Sequence, residues 1–79
     1  MSPVTIYKKQ KQILDFISQY IQINGYSPTL QEIADAMGLS SLATVHEHLQ
    51  ALERKNIIKK YDGAVRGIEV VDNTVNANL

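Results

Sequence analysis

Ser41, Thr44, His46, Glu47 and His48 put hydroxyl, imidazole and carboxylate groups into one short stretch, the densest set of chemically capable side chains in the sequence. Residue types of this kind serve metal binding, general acid–base work or nucleophilic attack. Their spacing argues against all three. His46 and His48 stand two apart, about 200° around a helix, so they cannot grip one metal as residues four apart can. His48 reads better as a partly packed flank residue. Cysteine is absent, which removes a thiolate nucleophile, thiolate metal ligands and disulfides together. There is no glycine loop to cradle a phosphate and no Ser/His/Asp set that falls in one pocket. No catalytic residue, metal or cofactor is expected, and what remains is recognition by hydrogen bonds and charge.

The elements that must position these groups follow from hydrophobic periodicity. Apolar residues recur at helical spacing from about Thr5 to Asn24, through Ile6, Ile13, Leu14, Ile17, Tyr20 and Ile21. Asn24-Gly25 ends this first helix, and Ser27-Pro28 biases the chain to an extended path. Thr29-Leu30-Gln31-Glu32 is a capping box that starts a short second helix, buried on its Leu30, Ile33, Ala34 and Met37 side and closed by Gly38. Leu39-Ser40-Ser41 makes a tight connection in which either serine can cap a third helix running to about Lys55. Leu42, Val45, Leu49 and Leu52 form the inward stripe of that helix. Ala43, Glu47, Gln50 and Arg54 lie opposite, with Thr44 and His46 flanking them. Arg54 and Lys55 suit a helix C-terminus electrostatically.

After Asn56 the period shortens. Ile57-Ile58-Lys59-Lys60-Tyr61 and Ile68-Glu69-Val70-Val71 are β-branched runs bounded by turn residues, and Asp62-Gly63-Ala64-Val65-Arg66-Gly67 between them forms a hairpin tip with glycines where positive φ costs little. The fold class expected is mainly α with a small β-hairpin, in the chain order of a winged helix-turn-helix. Ala34 followed four residues later by Gly38 is what the two packed helices of such a motif need. The first buried aliphatic of the third helix falls at Val45 rather than near Thr44, which implies one extra residue in the turn. Residues 1–71 are read as one domain, and residues 72–79, with three Asn and no pattern, as a tail or the start of a linker.

Composition sets the frame. A chain of 79 residues, 44% hydrophobic and 20% charged, is ordinary for a soluble globular domain. At that length folding buries roughly 60% of the surface the unfolded chain exposes, so the core is small. Neither a signal-peptide pattern nor an apolar run of membrane-spanning length is present, and the expected address is the cytoplasm. Net charge is zero, but it alternates in blocks. Residues 1–27 are positive, with Lys8, Lys9 and Lys11 against Asp15, and residues 28–52 carry only acids. Residues 53–60 are positive through Arg54, Lys55, Lys59 and Lys60, and residues 61–79 are negative. Blocks like these can present one basic face or simply a solvated surface.

Taken together, these residues resemble the amino-terminal DNA-binding domain of the LexA repressors of the bacterial DNA-damage (SOS) response. The resemblance is carried by Lys9-Gln10, Ile13-Leu14, Phe16-Ile17, Gly25-Tyr26-Ser27-Pro28-Thr29, Glu32-Ile33-Ala34, Gly38-Leu39, Ser41, Thr44-Val45-His46, His48-Leu49, Leu52-Glu53, Lys55, Ile57-Ile58 and Arg66-Gly67-Ile68-Glu69. It covers about residues 6 to 71. One departure is that family members often place Ser or Thr directly before the basic residue and Gln, whereas Tyr7 precedes Lys8-Lys9-Gln10 here and leaves Thr5 as the nearby cap. The set Thr44-Val45-His46 looks closer to the Gram-positive type than to the proteobacterial one.

The resemblance implies that the third helix enters the major groove, that the hairpin wing follows the neighbouring backbone and minor groove, and that two copies read a palindromic operator in double-stranded DNA. Base readout would then fall to Ser41, Ala43, Thr44, His46 and Glu47. Glu47 can accept from cytosine N4, Thr44 and Ala43 can meet a thymine methyl, and His46 can bond a purine N7. Arg54, Lys55, Lys60 and Arg66 would contact phosphates. Full-length members carry a Ser-Lys self-cleaving domain, stimulated by RecA filaments, and dimerise; nothing after Val71 is expected to supply that domain. The competing expectation is a winged helix used as a protein-interaction module. Such a module should expose large apolar residues on the outer face of the third helix, and Ala43, Thr44, Glu47, Gln50 and Arg54 favour DNA instead.

Overall fold

The computed structural model describes residues 6–71. Thr5, the expected cap of the first helix, and the 72–79 segment lie outside them. Helix α1 spans Lys8–Asn24 and buries Ile13 and Ile17 completely. It starts later than its periodicity suggests. Tyr7, in extended conformation, is the N-cap residue, and its main-chain N–H reaches the Gln10 Oε1 at 3.4 Å. That oxygen also accepts from the Lys55 Nζ at 2.8 Å, and the same ammonium lies 5.0 Å from the centre of the Tyr7 ring. The first turn is thus held by a residue 45 positions later in the chain. Gly25, at φ 82°, ends α1 as expected and donates to the Ile21 carbonyl at 2.8 Å.

Helix α2, Leu30–Met37, has both arms of its capping box. Thr29 Oγ1 accepts from the Glu32 N–H at 3.0 Å, and the Thr29 N–H donates to Glu32 Oε1 at 2.8 Å. At its end Gly38 adopts φ 69°. Leu39 N–H then bonds the Ala34 carbonyl at 2.9 Å and Gly38 N–H the Asp35 carbonyl at 3.3 Å, which turns the chain out of the helix without orphaning those carbonyls.

Helix α3 follows at Leu42–Arg54, and of the two candidate serines it is Ser41 that caps it, its Oγ accepting from the Ala43 N–H at 3.1 Å. Val45, Leu49 and Leu52 are buried, as the stripe requires, but Leu42 is 42% exposed. Cβ atoms tilt toward the N-terminus of a helix, so a residue at the first helical position leans past the helix end instead of over the core. Leu42 belongs to the rim.

Asn56, at φ 60°, makes the exit from α3. Its N–H bonds the Glu53 carbonyl at 2.9 Å while Ile57 N–H bonds that of Leu52 at 3.0 Å, the same closure that Gly38 provides for α2. Strands β1, Ile58–Lys60, and β2, Ile68–Val70, pair antiparallel with Ile58 opposite Val70, Lys59 opposite Glu69 and Lys60 opposite Ile68. They are shorter than the β-branched runs, whose flanking residues add single bonds: Val71 N–H to Ile57 O and Tyr61 N–H to Gly67 O, both 2.8 Å. Only one loop glycine needs its positive φ, Gly63 at 84°. Gly67 is there for space: a Cβ on it would stand 2.7 Å from the Ala64 Cβ and 2.8 Å from the Tyr61 carbonyl oxygen.

All five elements feed one core, Ile13, Ile17, Ile33, Ala34, Val45, Leu49, Leu52, Ile57, Ile58 and Ile68. The three helices and the antiparallel hairpin form a winged helix-turn-helix. Among the described residues, no helix is long and apolar enough to cross a membrane.

Candidate nucleic-acid interface

With Val45, Leu49 and Leu52 sunk into the core, helical geometry turns Ala43, Glu47, Gln50 and Arg54 outward, and all four are exposed. Ser41 is exposed at the N-cap, and Thr44 and His46 are half-buried on the two flanks. The five residues expected to read bases therefore share the outer side of α3 and its N-terminal end. Gln50, which wheel geometry already places at the centre of this face, belongs with them.

The hairpin adds a second edge. β1 lies against α3, and the Lys60 Nζ donates to His46 Nδ1 at 3.1 Å. Lys60 is thereby fixed beside the readout face with two of its three N–H donors uncommitted. On its other side Lys60 lines a shallow groove of about 290 Å³, together with Thr29, Leu30 and Gln31 of the α2 start and Ala64, Val65, Gly67 and Ile68 of the wing.

The four cations expected at phosphates fall into two groups. Arg54 is exposed at the end of α3 and has no side-chain hydrogen bond or ion pair among the described residues, and Lys60 faces the groove beside α3. Lys55 gives one N–H to Gln10 and lies over the Tyr7 ring, which pins its ammonium to the start of α1. Arg66 is engaged more fully. Its Nη1 donates to Glu32 Oε1 at 2.9 Å, to the Ser27 carbonyl at 2.9 Å and to the Tyr20 hydroxyl at 3.2 Å, and its Nη2 donates to Glu32 Oε2 at 3.1 Å. The guanidinium carbon lies 4.7 Å from the Tyr26 ring centre and 5.9 Å from that of Tyr20.

Electrostatics follow from those contacts. Hydrogen bonds from Arg66 and then from the Thr29 N–H pull the Glu32 carboxyl down to about 2, and the bond to Glu32 in turn raises Arg66. Tyr61 donates to Glu69 Oε1 at 2.8 Å, which raises its hydroxyl above the ordinary value.

Sequence reasoning did not find the cage around Arg66. Tyr26 and Ser27 stood inside the quoted Gly25-Tyr26-Ser27-Pro28-Thr29 run, but nothing local says that they receive a wing residue. Ser27 is buried and takes a second role there, its Oγ accepting the Ile68 N–H at 3.2 Å and so tying the loop after α1 to the first residue of β2.

Residues 1–67 match the LexA DNA binding domain. The chain belongs to that family. It is 44% identical over 68 residues to the LexA repressor of Koribacter versatilis, covering 86% of this chain and 32% of the relative. With the LexA repressor of Staphylococcus aureus strain Mu3 identity is 42% over 72 residues, 91% of this chain and 35% of the relative. With that of Geobacillus kaustophilus it is 47% over 66 residues, 84% and 32% respectively. The chain thus spans about a third of the length of these relatives. The family match takes in all of α1 to α3, β1 and the hairpin loop up to Gly67.

Proposed function

We propose that this chain is the sequence-specific double-stranded DNA-binding domain of a transcriptional repressor of DNA-damage genes. Helix α3 enters the major groove, the hairpin wing lies along the neighbouring backbone and minor groove, and two copies occupy the halves of a palindromic operator. The observation that carries this reading is the outer face of α3, exposed at Ala43, Glu47, Gln50 and Arg54 with no large apolar side chain among them, in a chain of the LexA DNA-binding family.

Roles follow from chemistry. The Glu47 carboxylate accepts from cytosine N4, the Ala43 and Thr44 methyls meet thymine methyls, His46 bonds a purine edge and Ser41 contacts the base at the start of the helix. An acid on a groove-facing helix is repelled by phosphates, so its place there is explained by base discrimination. Arg54 and Lys60 are the main phosphate contacts, since both have donors to spare. Lys55 and Arg66 hold the frame and reach a phosphate only through the N–H donors that their internal partners leave. RecA-stimulated self-cleavage and stable dimerisation would belong to a full-length protein, acting in the bacterial cytoplasm and at the nucleoid. The protein-interaction alternative lacks the large apolar side chains it needs at the centre of the α3 outer face.

Amide chemical-shift mapping during titration with an operator duplex tests the reading. Shifts should cluster at Ser41, Ala43, Thr44, His46, Glu47 and Gln50 with Lys59 and Lys60. Shifts confined to the exposed side of α1, at Gln12, Asp15 and Gln19, would overturn it.

A further inference from the structure

His46 is joined to the rest of the structure by one ring hydrogen bond among the described residues, from the Lys60 ammonium to Nδ1 at 3.1 Å. The chemistry of that bond is one-directional. A lysine ammonium has three donors and no acceptor, so Nδ1 must accept, and a neutral imidazole that accepts at Nδ1 carries its proton at Nε2. Nε2 itself is not enclosed: no buried side-chain nitrogen or oxygen among the described residues lacks a partner, and Nε2 has none, so it opens to the surface. The helix supplies the anchor on one side and the hairpin supplies the tautomer from the other.

We infer that Lys60 sets the hydrogen-bonding polarity of His46, making it a donor at Nε2 and so a reader of acceptor edges, guanine first. This rests on the proposed DNA reading. In the major groove guanine offers two adjacent acceptors, O6 and N7, and thymine one, O4, beside its methyl group, whereas adenine pairs its N7 with the N6 amino donor and cytosine presents only its N4 amino donor. A fixed N–H is satisfied at guanine, is crowded by a like donor at adenine, and is unpaired at cytosine. An imidazole free to exchange tautomers would discriminate less, because it could turn an acceptor toward the amino groups. Glu47, the next residue, has the opposite polarity, since a carboxylate only accepts. His46 and Glu47 thus form a donor and an acceptor side by side, suited to the guanine and cytosine of G·C pairs at this part of the site. Lys60 acts through His46 as a positioning residue, in addition to any phosphate it touches.

The test has a part that needs no variant. Two-bond nitrogen–proton correlation spectra of the wild-type chain, recorded well above the ordinary histidine pKa of about 6.5, report which ring nitrogen of His46 is protonated. The expected result is Nε2–H, and Nδ1–H would overturn the inference. The second part measures binding to duplexes in which each base pair of a selected site is varied singly. His46→Ala should reduce discrimination at one pair per half-site by about three- to tenfold, the range of one neutral hydrogen bond. Lys60→Met should reduce discrimination at that same pair, on top of a general loss of affinity. Lys59→Met removes the same charge from the neighbouring exposed position of β1 and should give the general loss alone. If Lys60→Met behaves as Lys59→Met at every pair, the inference fails while the DNA reading stands. If the wild-type chain distinguishes no duplex from another, that reading fails and takes this inference with it.

Discussion

Glu32, in the first turn of α2, and Arg66, in the hairpin loop, meet through paired bonds of 2.9 and 3.1 Å although 34 residues separate them in the chain. Glu32 does two things at once, since its Oε1 also accepts the Thr29 N–H that completes the capping box. The carboxylate that starts the helix ahead of the turn is therefore the one that holds the wing. The ion pair with its Tyr20, Tyr26 and Ser27 surround fixes the angle of the wing to the helical body, which the proposed docking on DNA would require.

Arg66→Ala should accordingly loosen the hairpin in the free chain, beyond any effect on a phosphate. Hydrogen exchange at the Ile68 amide, which bonds to Ser27 Oγ, should speed up, while amides in the middle of α1 stay protected. Glu32→Gln keeps the capping geometry, since glutamine can also reach back to the N-cap, and should reproduce most of the Arg66→Ala effect on the hairpin. Unchanged exchange at Ile68 in both variants would show that the ion pair does not hold the wing.

The pH dependence has a definite sign. Glu32 is held at about 2 against an ordinary value of 4.5, so as pH falls the unfolded chain binds the proton first. The contribution of Glu32 to stability is whole above pH 4.5 and is lost between 4.5 and about 2. Both side chains of the pair are more than a third exposed, so solvent screens the pair and the effect is modest. Thermal unfolding followed across this range should fall less steeply for Glu32→Gln than for the wild type. Parallel curves would contradict the assignment.

The two loop glycines should respond differently to alanine. Gly67→Ala places a Cβ 2.7 Å from the Ala64 Cβ and 2.8 Å from the Tyr61 carbonyl oxygen, and overcrowding of that kind costs about 1–3 kcal/mol. Gly63→Ala meets no atom within 4 Å but must hold φ 84°, a cost of about 1–2 kcal/mol. Urea unfolding measures both. The distinguishing sign is movement in the crowded variant, where nuclear Overhauser contacts between Tyr61 and residues 64–67 should change.

On DNA, the side chains should divide by role. Glu47→Ala should alter which site is preferred, and Arg54→Ala should weaken all duplexes alike. A single domain of this size buries about 600–1,000 Å² on DNA, and with zero net charge it should bind a half-site in the micromolar range. With Arg54 and Lys60 as the main phosphate contacts, the slope of log affinity on log salt should be roughly −2, steepening toward −3 to −4 only as Lys55 and Arg66 also reach phosphates. A salt-insensitive complex, or equal losses from both substitutions on every duplex, would contradict the division.

What the sequence disclosed and what it hid separate along one physical line. The capping box at Thr29 and Glu32, the Gly38 exit and a serine cap on α3 are local devices, closed within a few residues, and spacing alone reveals them, although it left Ser40 and Ser41 as equal candidates for that cap. The buried stripe of α3 was legible for the same reason, except at Leu42, where the helix end and not the period decides burial. The start of α1 was misplaced because it is held by Lys55 on Gln10, 45 residues away. Arg66 looked like a free wing cation because its partners, Glu32, Ser27 and Tyr20, come together only on folding. The candidate readout face lay in between: wheel geometry put Ala43, Glu47 and Gln50 outward, but only the packed hairpin brings Lys60 to His46.

The most direct measurement is selection of bound duplexes from a random pool at low salt, followed by titration of the winner against its scrambled sequence. Enrichment of a short palindromic motif, bound more tightly than the scrambled duplex and losing its preference in Glu47→Ala, is the result expected if α3 reads an operator. Equal weak binding of both duplexes, by the chain as it stands and by an artificially dimerised form, would contradict it.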